Sequence, residues 1–289
     1  MAIAAHCLAV LLPWQASHAT DTALQIVYPR EESGGDPRHR YPVAVLELAL
    51  RHTGQPFALH PSAAAMQQAR SLRLLQHGDT LDIAWSVATA ERDQALRVVP
   101  IAIDRGLIGW RVLLVRRGDA ERFAPVDSVS ALAAFSAGQG HDWPDAAALR
   151  ANGMRVVESS SYDGLFRMLA RGRFDCFPRG LSEAYLELDA HADLDFEVES
   201  TLLLHYRAGL YFFLHRERAA LAALIEDGLQ AAIDDGSLLE LFEAQFGAQL
   251  ARAGLAGRRV LHLDRSAAHA PISYSDAPPG WAFQPEAQP

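Results

Sequence analysis

Leu75-Gln76-His77-Gly78-Asp79-Thr80-Leu81-Asp82-Ile83-Ala84-Trp85 decides how the rest of the chain is read. A helical segment closes on a glycine, the residue that takes the left-handed C-cap conformation without a steric cost. A short polar turn then leads into an apolar run of strand character. Leu169-Ala170-Arg171-Gly172 repeats the order and leads to Asp175 and a further strand. The echo predicts two similar lobes. Upstream, Leu24 to Tyr28 reads as a strand, followed by a polar loop, Pro29 to Arg40, with the turn formers Ser33-Gly34-Gly35-Asp36-Pro37. Val43 to His52 is a helix with Val43, Leu46, Ala49 and Leu50 at helical spacing, stopped by Gly54. A strand Phe57 to His60, a helix Ser62 to Leu75 and the strand Leu81 to Trp85 complete a β-α-β-α-β unit. Such alternation predicts a mostly parallel sheet covered by helices on both faces.

Downstream, Leu107 to Arg117 is an extended Val/Leu-rich run, and the alternation resumes near Ala131 to Phe135. A loop at Gly138, a helix opened by Pro144, a strand Arg155 to Glu158, a helix Tyr162 to Ala170 and a strand Phe174 to Phe177 follow. Leu210 to Leu214 is another strand. Arg218 to Ile233 is a helix whose Leu221, Leu224, Ile225, Gly228, Leu229 and Ala232 form one apolar stripe, which is core. The proline-rich stretch Ser266 to Pro289 reads as an extended tail.

At 289 residues the chain is nearly twice the length of a typical domain of roughly 150 residues, so it has room for two lobes. It is 50% apolar and 21% charged, an ordinary globular composition. A formal charge of −9 argues against a nucleic-acid footprint, which needs clustered positive charge. All 26 positive side chains are arginine. Schiff-base, P-loop and kinase-type lysine chemistries are therefore excluded. An anion site must be built from guanidinium groups or backbone amides.

Residues 1–19 carry an apolar stretch, Cys7 to Leu12, and the small-residue exit Ala16-Ser17-His18-Ala19, and are expected to be a secretory signal cleaved after Ala19. No Arg or Lys precedes Arg30, so the usual positive n-region is missing. Export places the mature protein in the periplasm. The best later apolar run, Leu202 to Leu214, is broken by His205 and Arg207, so no membrane-spanning helix is expected. Cys176, between aromatic neighbours, reads as a small buried hydrophobe.

Gly78-Asp79-Thr80-Leu81-Asp82-Ile83, Thr89-Ala90-Glu91-Arg92 and Gly172-Arg173-Phe174-Asp175 resemble motifs of the bacterial extracellular solute-binding proteins of the polar amino-acid type. Gly138-Gln139-Gly140-His141-Asp142-Trp143-Pro144 and Arg173-Phe174-Asp175-Cys176-Phe177-Pro178-Arg179 resemble a poorly characterised subgroup of transporter substrate-binding-domain proteins. The resemblance spans most of the chain. It implies the type II periplasmic binding fold: two α/β lobes joined by two crossover strands, near Ile108 to Leu114 and Leu204 to Tyr211, hinged about a ligand cleft. The expected division is lobe 1 at 20–108 plus 209–265, lobe 2 at 109–208, and a tail at 266–289.

By that resemblance Arg92 stands at the ligand-carboxylate position, where its fork would hold an anion at two points. A surface arginine at a helix start is the other reading. Trp85 and Ser86 could stack on and hydrogen-bond a ligand, although core packing would equally explain the tryptophan. Tyr28 and Arg30 follow the first strand and could line the cleft mouth; for Arg30 a solvated surface position competes. Gly138, Gln139 and Gly140 precede a helix with Pro144 at its first position, which would leave backbone amides free for an anion. His141 reads as a loop donor and Asp142 as a helix cap. Tyr162 and Phe177 offer stacking faces, or belong to the core. The main departure from the family is Gly180, where an acid usually meets a ligand ammonium, and Arg179 stands beside it. That favours an anionic or aromatic ligand without an α-ammonium.

The chain contains 12 histidines, yet no His-Glu-x-x-His, Cys-x-x-Cys or Gly-x-Ser-x-Gly motif, so neither a metal nor another cofactor is expected, nor a serine nucleophile. The expected function is therefore an exported, monomeric receptor that captures a small polar or anionic ligand for an ABC permease or a membrane sensor. A cleft enzyme of the cyclohexadienyl-dehydratase type, using Glu183, His141 or Asp142, is the alternative.

Overall fold

The computed structural model describes residues 23–31, 37–78, 80–264 and 281–285. The expected signal segment lies outside the described residues, as do Ser33 to Asp36. The first lobe opens with β1 (Leu24–Arg30), α1 (Arg40–His52), β2 (Phe57–Ala65), α2 (Gln68–His77), β3 (Ile83–Val87), α3 (Ala90–Ala95) and β4 (Arg97–Val98). β1 and β2 are parallel partners, and Asp82 N donates to Val27 O at 2.9 Å, placing β3 on the other side of β1. The apolar positions of α1 drive its docking. Tyr41, Val45, Leu46, Ala49 and Leu50 are all buried, each large side chain contributing about 1.5–3 kcal/mol by leaving water.

The chain then crosses at 99–109 into β5 (Trp110–Arg116), α4 (Val129–Leu132), β6 (Ser136–Gly140), α5 (Pro144–Ala151), β7 (Arg155–Ser159), α6 (Tyr162–Ala170), β8 (Phe177–Gly180), α7 (Ala184–Ala190), β9 (Phe196–Val198) and β10 (Leu202–His205). β5 pairs antiparallel with β8, β9 and β10, while β6 and β7 are parallel. The return crossing at 206–209 delivers β11 (Leu210–Leu214), which sits between β3 and β4 and antiparallel to both. The two crossings touch: Tyr206 N donates to Gly109 O at 3.1 Å, and Ile103 N to Leu210 O at 2.9 Å. α8 (Ala219–Asp234), α9 (Ser237–Ala253) and β12 (Arg259–His262) complete the described chain before residues 281–285.

Several expectations need correction. The sheets are mixed rather than mostly parallel, because the return crossing inserts β11 against the direction of its neighbours. β2 runs on to Ala65, and α2 starts only at Gln68 instead of Ser62. Pairing with β1, in which Arg30 N donates to Ser62 Oγ at 3.0 Å, carries this alanine-rich segment as strand. Gly138 lies in strand β6, not a loop. The strand expected over Phe174 to Phe177 falls at Phe177–Gly180; before it, Asp175 Oδ2 accepts from Ser136 N and Oγ. Both glycines of the echo, Gly78 and Gly172, do have positive φ, at 77° and 65°.

The C-terminal boundary moves as well. β12 pairs in parallel with β10, so residues 259–262 belong to the second lobe's sheet and not to the first lobe. The tail expected to lie unpacked over 266–289 is anchored at 281–285. Trp281 and Phe283 are buried with Tyr41 and Phe242 in the core, Trp281 Nε1 donates to Ala102 O at 2.9 Å, and Phe283 N donates to Arg105 O at 2.8 Å.

Candidate functional site

A cavity of about 120 Å³ lies between the lobes. The first lobe contributes Arg38, His39, Tyr41, Gln67, Gln68 and Trp85; the second contributes Arg111, Trp143, Asp145, Arg179 and Glu183; Asp104 and Ile108 of the first crossing and Leu210 at the start of β11 also line it. A smaller hollow shares Arg38, Gln67, Gln68 and Trp143, and adds Gly140, Asp142, Ser159 and Tyr162.

Contacts from lobe to lobe surround this space. Asp142 Oδ2, beyond the end of β6, accepts a hydrogen bond from Ala69 N in the first turn of α2 at 2.9 Å. It thereby caps a helix of the opposite lobe, rather than its own helix α5, whose N-cap is Trp143. Gln67 Nε2 donates to Ser160 O at 2.6 Å. The Arg38 guanidinium lies 4.1 Å over the Tyr162 ring and 5.4 Å from the Trp143 ring centre, a cation–π arrangement worth about 0.5–2 kcal/mol.

Of the residues singled out from the sequence, Trp85, Arg179 and Glu183 line the main cavity, and Gly140, Asp142 and Tyr162 the smaller one. Trp85 is nearly buried, with His39 edge-on at 5.0 Å and Tyr28 at 6.1 Å. Tyr28, Ser86, Arg92 and Arg30 line neither space. The Arg92 Nη1 donates to Ser86 Oγ at 2.6 Å and to Val87 O at 2.7 Å, while Nη2 reaches Asp142 O at 3.4 Å and Gln68 Oε1 at 3.5 Å. Its fork thus ties β3 to α2 and the far lobe. Arg30 points to Ser62, its Nε donating to Ser62 O at 2.9 Å.

Two amides in and just after the glycine run are already engaged. Gly138 N donates to Cys176 O and His141 N to Ser159 O. The glycines are there for close packing: a Cβ on Gly138 would lie 2.2 Å from the Phe174 ring, and one on Gly140 2.5 Å from the Trp143 indole. Gln139 is fully buried and donates to Pro178 O at 3.1 Å. Phe177 is packed among Phe166, Phe174 and Trp143. The His141 side chain is 47% exposed and lines neither space. Burial pushes the Cys176 thiol up, which keeps it protonated and unreactive.

Arg179 is fully buried and committed. Its Nε donates to Glu187 Oε2 at 2.6 Å, its Nη2 to Glu187 Oε1 at 2.5 Å, and Glu183 Oε1 lies 3.0 Å from the same Nη2. Burial alone would lower this guanidinium's pKa, and the Glu183 and Glu187 carboxylates outweigh it, so the group stays charged. Tyr162 Oη donates to Glu187 Oε1 at 2.9 Å, closing the network. Glu183 also explains the missing acid at 180. Its Oε2 accepts from Gly180 N and lies 3.1 Å from where a Cβ on Gly180 would be, so a carboxylate reaches that place from the following turn.

Arg111, Asp145 and Asp104 were not singled out from the sequence. Their one signal is a charge interrupting an apolar run, as in Trp110-Arg111-Val112-Leu113. Arg111 is 1% exposed and faces Asp145, with Nη2 2.6 Å from Oδ1. The two side chains are each other's ion-pair partners, and among the described residues Arg111 Nε has no hydrogen-bond partner. Asp104, 2% exposed, accepts from Gly106 N, Ile108 N and Leu210 N at 3.1, 2.8 and 2.9 Å, and so staples the two crossings together. Burial pushes its carboxyl up to about 6 against the pull of these three amides. Among the described residues, no group of three or more His, Cys, Asp or Glu is placed to hold a metal ion.

No family model and no curated protein matches the chain. Solved structures do. An ancestral arginine-binding protein bound to arginine matches with a TM-score of 0.59 at 14% identity, covering 78% of this chain and 98% of the other. The arginine-, lysine-, histidine-binding protein ArtJ from Geobacillus stearothermophilus matches with a TM-score of 0.57 at 15% identity, over 78% and 95%. A histidine kinase sensor domain with similarity to periplasmic binding proteins matches with a TM-score of 0.57 at 15% identity, over 78% and 96%. Both lobes, the paired crossings and the cleft between them make this chain an α/β protein of the two-lobe type II periplasmic binding fold.

Proposed function

We propose that the protein is an exported receptor that captures a small polar or anionic solute between its lobes and presents the closed form to an ABC permease or a membrane sensor. The observation that carries this reading is the interlobe cavity bridged from lobe to lobe by Asp142–Ala69, Gln67–Ser160 and Arg38–Tyr162. A solute stabilises that state by its differential affinity for it. Support also comes from the structural neighbours, described as amino-acid-binding proteins and a kinase sensor domain, which suit a periplasmic location and either kind of partner. No helix among the described residues is long and apolar enough to cross a membrane. A dissociation constant in the micromolar range, about −8 kcal/mol, suits capture followed by release. The receptor works as a monomer, without cofactor or chemical step.

Thermal-shift screening of the purified protein against a metabolite library tests the proposal. One chemical class raises the melting temperature and is recovered unaltered. A library without effect, or a solute converted to product, overturns it.

A further inference from the structure

We infer that Trp281 and Phe283, which line neither space of the cleft, are its positioning residues: by gripping the first crossing at Ala102 and Arg105 they fix Asp104, Ile108 and Leu210 on the cavity wall and hold the hinge between the lobes in one conformation. The inference rests on the receptor reading above, which gives the cleft its use.

The grip is made at three points. Trp281 Nε1 donates to Ala102 O at 2.9 Å, Phe283 N donates to Arg105 O at 2.8 Å, and Arg105 Nε donates back to Trp281 O at 2.8 Å. The Arg105 guanidinium also lies 5.4 Å from the Trp281 ring centre and 5.0 Å from that of Phe242 on α9. Both Trp281 and Phe283 are buried, so the segment is packed into the protein rather than laid over it. What it holds is a bend. Arg105 has a φ of 58°, and among the described residues it alone combines a side chain with a positive φ. That conformation crowds Cβ against the backbone, and it persists only where the surroundings over-determine it. The C-terminal segment bonds both the carbonyl and the side chain of that residue.

The bend in turn shapes the cleft. Asp104, the residue before it, lines the cavity, and its carboxylate accepts from Gly106 N, Ile108 N and Leu210 N. Ile108 and Leu210 line the same cavity, one on the first crossing and the other at the start of β11. A change in the Arg105 backbone would therefore draw the carboxylate away from these amides and alter how the two passages between the lobes lie against each other. Tyr41, a further lining residue, meets the same stretch from α1, its Oη donating to Ile103 O at 2.7 Å. Printed in order, the contacts run unbroken from Trp281 and Phe283 through Ala102 and Arg105 to Asp104 and the cavity wall.

Trp281→Ala in the full chain, with no solute added, tests this by two readings. In two-dimensional NMR the amide protons of Gly106, Ile108 and Leu210, drawn downfield by the carboxylate, should shift upfield, while those of Val112, Leu113 and Leu114 in β5 stay in place. Pulsed electron resonance between spin labels at Arg73 and Arg167 should give a wider distance distribution than the same labels in the protein with Trp281. A role in packing alone would lower the melting temperature and move neither reading. Should Trp281→Ala not fold, Trp281→Phe, which loses only the donor to Ala102, takes its place and should move the same amides in the same direction. Unmoved amides, or a distribution of wild-type width, overturns the inference and leaves the receptor reading intact. If no solute in the thermal-shift library binds the wild-type protein, the receptor reading fails, and these two readings, taken without solute, still decide whether the segment positions the cleft.

Discussion

The Asp142 carboxylate of one lobe caps the helix that begins at Gln68 in the other, its Oδ2 accepting from Ala69 N at 2.9 Å. The lobes are joined here by a charge-assisted hydrogen bond at the positive end of a helix dipole. Arg92 reinforces the same seam from the first lobe through Asp142 O. On the receptor reading proposed above, this seam favours the closed arrangement before any solute binds.

Removing the cap should shift the balance toward the open form. Asp142→Ala is expected to cost the closed state about 1 kcal/mol and to weaken solute binding roughly fivefold by reducing the closing-competent population. Hydrogen exchange at 69–72 should speed up while exchange within α6 stays as in the wild type. Unchanged exchange at the start of α2 would show that the cap is not formed in solution.

The glycine at 138 is a packing device, and that reading makes a sharp demand. Gly138→Ala would bring a methyl group within 2.2 Å of the Phe174 ring, so a loss of about 1–3 kcal/mol in urea unfolding is expected, without a selective effect on any anion. A variant as stable as the wild type that nevertheless lost solute binding would restore the anion-cradle reading of Gly138-Gln139-Gly140.

At the far end of the chain, Trp281 bridges to the first crossing. Its indole donates to Ala102 O, and its own carbonyl accepts from Arg105 Nε at 2.8 Å. Trp281→Ala should lower stability by about 3 kcal/mol. Trp281→Phe, which keeps most of the buried ring area but loses the indole donor, should lower it by about 1 kcal/mol. Differential scanning calorimetry of the pair checks both values; two variants indistinguishable from the wild type would mean that the tail does not dock.

The buried Asp104 and the half-buried His205 give opposing pH dependence. Burial raises Asp104 from 3.8 to about 6, so its contribution favours folding at low pH and fades as pH rises through about 6. Burial, aided by His262, lowers His205 from 6.5 to about 4, so its contribution is full above pH 6.5 and is lost as pH falls through about 4. Between these limits acidification strengthens the first and weakens the second. Asp104→Asn should therefore steepen the loss of stability from pH 6.5 to 4, and His205→Gln should flatten it. Urea midpoints across that range measure both, and parallel profiles for the two variants and the wild type would refute the assignment.

Local periodicity locates much of this fold. The Tyr162 to Ala170 helix and the Leu210 to Leu214 strand fall where their side-chain spacing puts them, because each buries one apolar face and ends on a conventional signal. Spacing fails where a distant partner decides. Ala63 to Ala65 is strand because β1 lies beside it, Ser136 to Gly140 is strand although it contains two glycines, and β12 leaves the first lobe to join β10. The cleft divides in the same way. Trp85 and Arg179 were visible as an aromatic and a charge at strand ends, whereas the pairing of Arg111 with Asp145 and the reach of Asp142 to Ala69 arise only when the lobes come together. Arg92 stands at the motif position, and its engagement with Ser86 and Val87 depends on the turn from β3 into α3.

Spin labels at Arg73 on α2 and Arg167 on α6, both exposed and on opposite lobes, report the separation of the lobes directly. Pulsed electron resonance with and without a saturating solute taken from the thermal-shift screen should show a broad distance distribution collapsing to one shorter, narrow distance. A distribution that the bound solute leaves unchanged would contradict capture by closure of two hinged lobes.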